Sequence, residues 1–327
     1  MPEPLDIVIV GAGPTGLACA IEAVSNHLAV LVVEKGVLVN SLYHYPSTMT
    51  FFTTRERLEI GDLPLPSLNI KPHRAEALEY YRRAADFYRL PIHFQERVVG
   101  IQRHGGEFRV QTENPEGRRE EYPARKVIIA TGYYDLPNLL GIPGEELPKV
   151  SHYYTDPHPY YRRRVALIGG GNSAAVAALD LFRHGADVTL IHREREVSSH
   201  IKYWILPDLL NRIKEGSIRA IMEGEVTKIA QGWITVKKSN GETLQVENDF
   251  VFALTGYHPD FDFLRAAGVA IDPQTCRPQC DTMTLETNVP GIYLAGVVIA
   301  GMDTNEIFIE NGRFHGKQII TDVLKKI

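Results

Sequence analysis

The chain has 327 residues, of which 44% are hydrophobic and 23% are charged, a composition typical of a soluble globular protein with two or three domains. It carries 35 basic and 40 acidic residues, and the net charge of −5 gives no general attraction to nucleic acid or to an anionic membrane. Three cysteines are too few for a disulfide framework and favour the reducing cytoplasm. We expect no signal peptide, because no basic segment precedes the first apolar run, and no membrane span, because the uncharged stretch Asn288–Met302 is too short and contains Pro290.

The N-terminal segment predicts a strand, a glycine-rich turn, a helix and a second strand. An apolar run at Ile7–Val10 is typical of a buried parallel strand, and the loop Gly11–Gly16 that follows has the pattern Gly-x-Gly-x-x-Gly. These glycines permit a tight turn, the close approach of a pyrophosphate and close packing of the helix, whose N-terminus attracts phosphate. The second strand, Leu28–Val33, ends at Glu34, which is placed to accept hydrogen bonds from an adenosine ribose. The segment therefore predicts a dinucleotide site.

A second segment of the same design lies in the middle of the chain. A strand leads to the glycine loop Gly169–Ala174, a helix follows, and the next strand ends at His192. The position that corresponds to Glu34 holds no carboxylate, and two guanidinium groups follow it, on Arg193 and Arg195. This pattern suits the 2′-phosphate of NADPH better than the ribose of NADH. The alternative is a solvated charge cluster beside an adenine site that is indifferent to the phosphate.

Both segments close with an apolar strand and a Thr-Gly pair, which end at Gly132 and at Gly256. The simplest architecture nests the second unit inside the first. We therefore predict one domain over residues 1–136 and 253–327, and an inserted domain over residues 137–252.

Alternating sequence in each unit predicts additional β-meander strands. Examples are Glu107–Asn114 and Gly232–Val246, and the second contains the hairpin-turn signal Asn240-Gly241. The predicted fold class is α/β, with two nested Rossmann-like FAD/NAD(P)-binding domains, each three-layered, and β-meander insertions.

Two dinucleotide sites in one chain of this length imply an electron-transfer flavoenzyme that holds FAD permanently and NADPH transiently. The discontinuous domain is the FAD candidate, because its C-terminal part can complete a flavin site, and the inserted domain is the NADPH candidate. The segment Gly291–Gly301 resembles the second FAD fingerprint of two-dinucleotide flavoproteins. We expect a helix near Asn305–Gly316 to direct its N-terminus at the flavin, although ordinary capping and packing would explain that helix equally well.

The predicted cofactor-binding residues follow from these motifs. Those assigned to FAD lie in the first glycine loop, at the strand ends and in the C-terminal segment: Gly11, Gly13, Pro14, Thr15, Gly16, Glu34, Lys35, Thr131, Gly132, Gly296, Val297, Asn305, Glu306 and Ile307. Those assigned to NADPH lie in and after the second glycine loop: Gly169, Gly171, Asn172, Ser173, Ala174, His192, Arg193 and Arg195. No metal site is predicted, and no side chain is assigned as catalytic because the flavin carries the chemistry. His44, His258 and His315 are candidate proton donors, but an isolated histidine is more often a structural hydrogen-bonding residue.

Beyond the glycine motifs, the sequence resembles the bacillithiol disulfide reductases of the YpdA type, within the thioredoxin-reductase-like flavoproteins. The resemblance covers nearly the whole chain. Its most specific stretches are Asn40–Pro66, Glu76–Arg83, Val150–Tyr161, Lys202–Ile218 and Asn305–Gly316. It implies bound FAD, NADPH as the electron donor, a homodimer, and the reduction of a low-molecular-weight disulfide in the cytoplasm.

Two positions depart from related patterns. Val297 stands where thioredoxin reductases usually have aspartate, which favours the narrower family. Thr15 stands where YpdA-type proteins commonly have a cysteine that has been considered redox-active, and a hydroxyl cannot take part in thiol exchange. We expect Thr15 to form a hydrogen bond near the pyrophosphate, Cys19 to be a buried core residue, and Cys276 and Cys280 to be incidental loop thiols, although that pair could also join or bind metal.

The sequence thus predicts an FAD-dependent, NADPH-oxidising reductase whose partner is a small-molecule disulfide or a small redox protein. The alternative is an NADPH-dependent ferredoxin or flavodoxin reductase without a redox dithiol. A flavin monooxygenase is disfavoured because His152 and Tyr154 replace the aromatic residue and the glycine of its linker motif. A redox sensor that holds FAD without turnover is disfavoured because it would not need a clamp for the 2′-phosphate.

Overall fold

The computed structural model describes residues 3–327. The strands of this range, in chain order, are β1 (Leu5–Val10), β2 (Val30–Val33), β3 (Ile92–His93), β4 (Arg97–His104), β5 (Glu107–Glu113), β6 (Arg119–Ile129), β7 (Leu136–Pro137), β8 (Val150–Ser151), β9 (Arg164–Ile168), β10 (Asp187–Ile191), β11 (Arg219–Ile221), β12 (Gly224–Ile229), β13 (Trp233–Lys238), β14 (Thr243–Glu247), β15 (Phe250–Ala253), β16 (Tyr257–His258) and β17 (Ile292–Leu294). The α-helices are α1 (Pro14–Ser25), α2 (Asn40–Tyr43), α3 (Arg74–Phe87), α4 (Asn172–Arg183), α5 (Leu206–Lys214), α6 (Phe261–Ala266), α7 (Ile309–Gly312) and α8 (His315–Val323). Three short 3₁₀ helices of the same range span Arg55–Arg57, His158–Tyr160 and Val297–Ala300.

The chain divides into two compact units. The first unit comprises residues up to His44, Thr48–Leu136 and Tyr257–Ile327, and the second comprises Tyr45–Ser47 and Pro137–Gly256. Both units are therefore assembled from segments that are separate in the sequence. The assignment of FAD to one unit and NADPH to the other remains a prediction.

A mixed sheet forms the frame of the first unit. Its strands follow the order β3-β2-β1-β6-β5-β4, and β17 also pairs with β6. Strands β1, β2, β6 and β17 are parallel, and their last residues are in register, since Val10 pairs with Val33 and Ile129, and Ile129 pairs with Leu294. The carboxyl ends of these four strands therefore meet at one edge of the sheet.

The first unit is held together by its buried strands and by the packing of α8 on α1. Strand β2 and the apolar C-terminal residues of β1 (Ile7–Val10) and β6 (Val127–Ile129) are buried, as expected where helices or further chain cover both faces of a parallel sheet. The C-terminal helix α8 packs closely on α1, because a Cβ atom on Gly316 would lie 2.8 Å from the carbonyl oxygen of Ala18. This contact holds the last helix of the chain against the first.

The second unit repeats the parallel arrangement. Its five-stranded sheet has the order β11-β10-β9-β15-β8, and Ile168 at the end of β9 pairs with Ile191 and Ala253. An antiparallel sheet, β12-β13-β14, contains the hairpin whose turn includes Gly241 at φ +87°. The predicted α/β fold class is confirmed.

Two predicted elements have different bounds. The second strand begins at Val30 rather than Leu28, because Leu28 still donates its N–H to Ala23 at the end of α1 (3.1 Å). The prediction of a helix near Asn305–Gly316 is wrong in its first turn, since α7 begins only at Ile309. The extended Phe308 donates its N–H to the side-chain oxygen of Asn311 (2.8 Å), which caps the helix there.

The C-terminal helical segment is also interrupted. Arg313 and Phe314 form a turn, and the chain resumes as α8 at His315. Across residues 3–327, no helix combines the length and the apolar character needed to cross a membrane.

Candidate functional site

The first glycine loop follows β1 and is shaped by close backbone contacts. Gly11 has φ +106°, and a Cβ atom there would lie 2.6 Å from the carbonyl oxygen of Ala130. A Cβ atom on Gly16 would collide with the carbonyl oxygen of Gly11. By contrast, a Cβ atom on Gly13 would meet no atom within 4 Å. The loop is therefore tight against the sheet at its ends and open at Gly13, as the approach of a pyrophosphate requires.

Helix α1 presents its N-terminus to this opening. Gly13 is the N-cap residue, Pro14 takes the first helical position, and no side chain in residues 3–327 caps the helix by a hydrogen bond. The first-turn N–H groups carry the positive end of the helix dipole and suit a phosphate. These residues fit the diphosphate of a dinucleotide.

Glu34, at the end of β2, is buried and already holds the loop. Its carboxylate accepts hydrogen bonds from the N–H groups of Ala12 (2.7 Å) and Gly36 (2.8 Å), and only 5% of the residue is exposed. Burial raises the pKa of Glu34, although these two N–H groups oppose the change. Each carboxylate oxygen can accept a second hydrogen bond, so Glu34 can also receive a ribose hydroxyl.

Lys35 and the closing strand lie next to Glu34 at the same edge. The Lys35 ammonium forms an ion pair with Asp135 at 2.9 Å, which ties the end of β2 to the segment after β6. That segment contains Thr131 and Gly132, and Gly132 has φ +71° with open space beside it. The structure thus gathers these three predicted residues at the sheet edge, with Lys35 engaged by a carboxylate.

The second predicted flavin segment meets the first glycine loop through Thr15. A Cβ atom on Gly296, which has φ +83°, would lie 3.2 Å from the Thr15 hydroxyl oxygen. A Cβ atom on Gly312 would lie 2.9 Å from the same oxygen. The side chain of Thr15 therefore packs against two glycines from the C-terminal part of the chain, and its hydrogen bond to a pyrophosphate remains a prediction. Val297 follows Gly296 and begins a 3₁₀ helix.

The residues Asn305, Glu306 and Ile307 precede α7 rather than starting it. Asn305 and Glu306 are exposed, and the Glu306 carboxylate pairs with the guanidinium of Arg277. The structure therefore connects this segment to the loop that contains Arg277. Its contact with a flavin is untested.

The second glycine loop has the same construction. Gly169 has φ +144°, Gly171 has open space where a Cβ would stand, and Ala174 is fully buried. Helix α4 begins at Asn172, and no side chain of the described range caps it. The Asn172 side chain instead accepts a hydrogen bond from the N–H of Lys202 (3.3 Å), while Ser173 is exposed. The loop is thus open to a phosphate.

The residues after β10 differ in exposure. The half-buried His192 ring lies against Gly170, and burial lowers the pKa of His192. The Arg193 side chain is 80% exposed and forms a 3.3 Å ion pair with Glu194, and Arg195 is also exposed. An exposed ion pair of this kind is weak, so both guanidinium groups can approach an anionic ligand.

Some residues that contact the two glycine-loop sites lie outside any sequence motif. The N–H of Ser198 donates to the carbonyl of Gly170 (2.9 Å), so the segment that includes Ser198 and Lys202 lies along the second glycine loop. In the first unit, the ring Nδ1 of His315 accepts the N–H of Gly296 at 3.0 Å. The sequence marked His315 only as an isolated histidine, because its partner lies 19 residues away outside any periodic pattern.

The three cysteines are free thiols in different environments. Cys19 is fully buried, and burial raises its pKa to about 12. Cys280 is partly buried, with its pKa also raised by burial, and it packs against the core of the first unit. Cys280 also forms an isolated antiparallel bridge with Thr287.

Comparisons with known proteins agree with this construction. A family model for pyridine nucleotide-disulphide oxidoreductases matches residues 8–296. Over 323 residues, the chain is 44% identical to the bacilliredoxin reductase Bdr of Bacillus subtilis, covering 98% of this chain and 97% of that protein.

Two solved structures are also similar throughout. The bacillithiol disulfide reductase of Bacillus cereus is 44% identical, with a TM-score of 0.97 and coverage of 99% of this chain and 100% of that one. The bacillithiol disulfide reductase of Staphylococcus aureus is 39% identical, with a TM-score of 0.93 and coverage of 99% of each chain.

The predicted family and cofactors are confirmed by these similarities. Pyridine nucleotide-disulphide oxidoreductases use FAD and NADPH, and the open glycine loops of both units fit such cofactors. The chain is therefore an oxidoreductase that belongs to the pyridine nucleotide-disulphide oxidoreductase family, in the group of the YpdA-type bacillithiol disulfide reductases.

Proposed function

We propose that this protein oxidises NADPH through FAD and reduces a low-molecular-weight disulfide, with bacillithiol disulfide as the leading substrate. The observation that carries the proposal is the contrast between two similar glycine loops. In the first unit, the strand after the glycine loop and its helix ends at the buried carboxylate of Glu34. In the second unit, the corresponding strand is followed by the exposed guanidinium groups of Arg193 and Arg195. One site is thus suited to ribose hydroxyls and the other to a 2′-phosphate.

In the first unit, the chain would hold FAD by its backbone. The opening at Gly13 and the uncapped N-terminus of α1 would receive the diphosphate, and Glu34 would receive the adenosine ribose. The segment that begins at Gly296 would border the flavin itself. When bound, FAD supplies the hydride chemistry, which accepts two electrons from NADPH and passes them to the disulfide.

In the second unit, Gly171 and the N-terminus of α4 would receive the NADPH diphosphate, while Arg193 and Arg195 would bind the 2′-phosphate. The other predicted contacts, His192, Asn172 and Ser173, surround the same loop. Their part is to orient the nucleotide, since none of them has a reactive role in hydride transfer.

Reduction would proceed without a protein thiol in the first glycine loop. Thr15 cannot form a mixed disulfide, and the Cys19 thiol is fully buried with a strongly raised pKa. The balanced reaction consumes NADPH, one proton and one disulfide, and yields NADP⁺ and two thiols. The electrons would therefore pass from flavin to disulfide directly.

The same substitution supports a second candidate function, an NADPH-dependent reductase of ferredoxin or flavodoxin. Such an acceptor takes electrons from the flavin one at a time and requires no dithiol. Thr15 in the first loop is the observation that favours it. We further propose a homodimer in the cytoplasm, because the resemblance to the YpdA-type enzymes implies both. Light scattering of the purified protein and cell fractionation test these two points.

Anaerobic addition of NADPH tests the proposed function. We expect the purified protein to be yellow, to bleach with one equivalent of NADPH, and to recover its colour on addition of bacillithiol disulfide. Recovery with ferredoxin or flavodoxin but not with the disulfide would establish the second candidate. A protein that does not retain supplied FAD would refute both.

A further inference from the structure

His315 is the first residue of α8, and its ring forms a hydrogen bond within the first unit. Its ring Nδ1 accepts the N–H of Gly296 at 3.0 Å. Gly296 is buried and lies two residues after the end of β17, within the second predicted flavin segment. A buried backbone N–H requires an acceptor, and here a side chain supplies it.

This contact defines the protonation state of His315. An imidazole nitrogen that accepts a hydrogen bond carries no proton, so the proton of the neutral ring is on Nε2. Two further features disfavour the charged ring. Burial lowers the pKa of His315, and the ring stands at the N-terminus of a nine-residue helix, where the dipole repels a cation.

The peptide held by His315 is also confined on its other side. Gly296 has φ +83° and ψ −158°, a conformation that disfavours any side chain. Thr15 packs against Gly296 and Gly312, and the carbonyl of Gly296 accepts the N–H of Ile299 in the 3₁₀ helix (3.3 Å). Movement of the Gly296 peptide would therefore disturb both the first glycine loop and the second flavin segment.

We propose that His315 is a positioning residue that, as the neutral Nε2–H tautomer, fixes the Gly296 peptide and thereby orders the flavin-binding segment. This inference rests on the proposed binding of FAD to the first unit. It assigns no chemical step to His315. The role requires an acceptor at Nδ1 for the Gly296 N–H, and the proton on Nε2 follows from that requirement.

Substitutions that retain or remove this acceptor separate the role from general packing. Asparagine places its side-chain oxygen near the position of Nδ1, whereas glutamine places it near Nε2 and leucine provides no acceptor. We would measure the FAD dissociation constant of the apoprotein for His315→Asn, His315→Gln and His315→Leu, together with the flavin absorption spectrum. His104→Leu is the matched control, since His104 is an exposed histidine at the end of β4.

We expect His315→Leu and His315→Gln to weaken FAD binding by roughly tenfold or more, the size expected for a buried N–H left without an acceptor. His315→Asn should stay within about threefold of the wild type and retain its flavin spectrum, because it preserves an acceptor. Binding of 2′,5′-ADP, which reports on the second unit, should change by less than about twofold in all variants.

Nitrogen-15 NMR of the wild-type histidine rings provides a readout that does not depend on a folded variant. Detection of an unprotonated Nδ1 and a protonated Nε2 on His315 would support the inference. A protonated Nδ1, equal losses in the asparagine and leucine variants, or unchanged FAD binding in His315→Leu would each overturn it. Wild-type protein that binds no FAD would instead refute the proposed function itself.

Discussion

Replacing Arg193 by alanine tests how the second unit selects its nucleotide. The Arg193 side chain is 80% exposed and forms an ion pair with Glu194 at 3.3 Å. Such a surface pair contributes roughly 0–1 kcal/mol, so the substitution should leave the fold and its stability nearly unchanged. In the NADPH complex, however, the guanidinium would form a charge-assisted hydrogen bond to the 2′-phosphate. Losing that bond costs about 1.5–3 kcal/mol, which is roughly a ten- to hundredfold loss of affinity.

The assay is steady-state oxidation of NADPH and of NADH by wild-type protein and by Arg193→Ala. We expect the KM for NADPH to rise about ten- to hundredfold, with kcat nearly constant, because the contact is made equally before and during hydride transfer. The KM for NADH, which has no 2′-phosphate, should change less than about threefold.

Arg118→Ala provides a matched control for this experiment. The Arg118 side chain is 76% exposed and pairs with Glu120 at 2.5 Å, in a turn of the first unit. It resembles Arg193 in charge, exposure and neighbour but lies far along the chain from the second glycine loop. We expect it to leave both KM values unchanged. An equal rise of KM for NADPH and NADH in Arg193→Ala would refute the assignment of this arginine to the 2′-phosphate.

Three further predictions concern burial and packing. Thiol reagents at pH 8 should modify the loop cysteines but not Cys19, because the Cys19 side chain is fully buried and its pKa of about 12 leaves about 0.01% of it as thiolate. Mass spectrometry of the labelled native protein checks this prediction, and rapid labelling of Cys19 would contradict it. Gly316→Ala should destabilise the protein to urea, because the added Cβ would lie 2.8 Å from the Ala18 carbonyl oxygen, and overpacking of about 1–3 kcal/mol exceeds the helix-propensity gain of about 1 kcal/mol. Gly232→Ala, where the Cβ has open space, is the control, and equal stability of the two variants would show that the contact is not tight. His315, whose pKa is lowered from 6.5 by burial, takes up its proton more readily in the unfolded chain, so its contribution to stability is complete above about pH 6.5 and is lost as the pH falls through the lower folded value. Urea unfolding at several pH values should therefore show a shallower pH dependence for His315→Asn than for the wild type, and identical slopes would count against this reasoning.

Much of the fold and of the cofactor chemistry could be read from local sequence. Fully apolar runs predicted the parallel strands, because such strands are covered on both faces. The spacing of Gly11, Gly13 and Gly16 predicted the strand-turn-helix unit, because each glycine answers a steric demand within a few residues of itself. The contrast between Glu34 and Arg193 indicated two different nucleotides. This contrast is also local, because each residue lies just after the end of a short strand.

The predicted C-terminal helix shows where local reasoning failed. Residues near Asn305 have a composition compatible with a helix, but the side chain of Asn311 caps the chain at Phe308 and delays the start of α7 to Ile309. A side-chain cap and a helical turn compete for the same backbone groups, and composition does not determine which one prevails.

The sequence by itself determined the family, the α/β fold class and the two glycine loops, because these features depend on residues that are close together in the chain. Only the tertiary structure decided that Thr15 packs between Gly296 and Gly312, and that His315 accepts the N–H of Gly296. These contacts arise because β17 pairs with β6 and α8 packs on α1, which brings segments nearly 300 residues apart to one edge of the sheet. No periodicity or motif in the sequence predicts these contacts, because they depend on how the whole core of the first unit is packed.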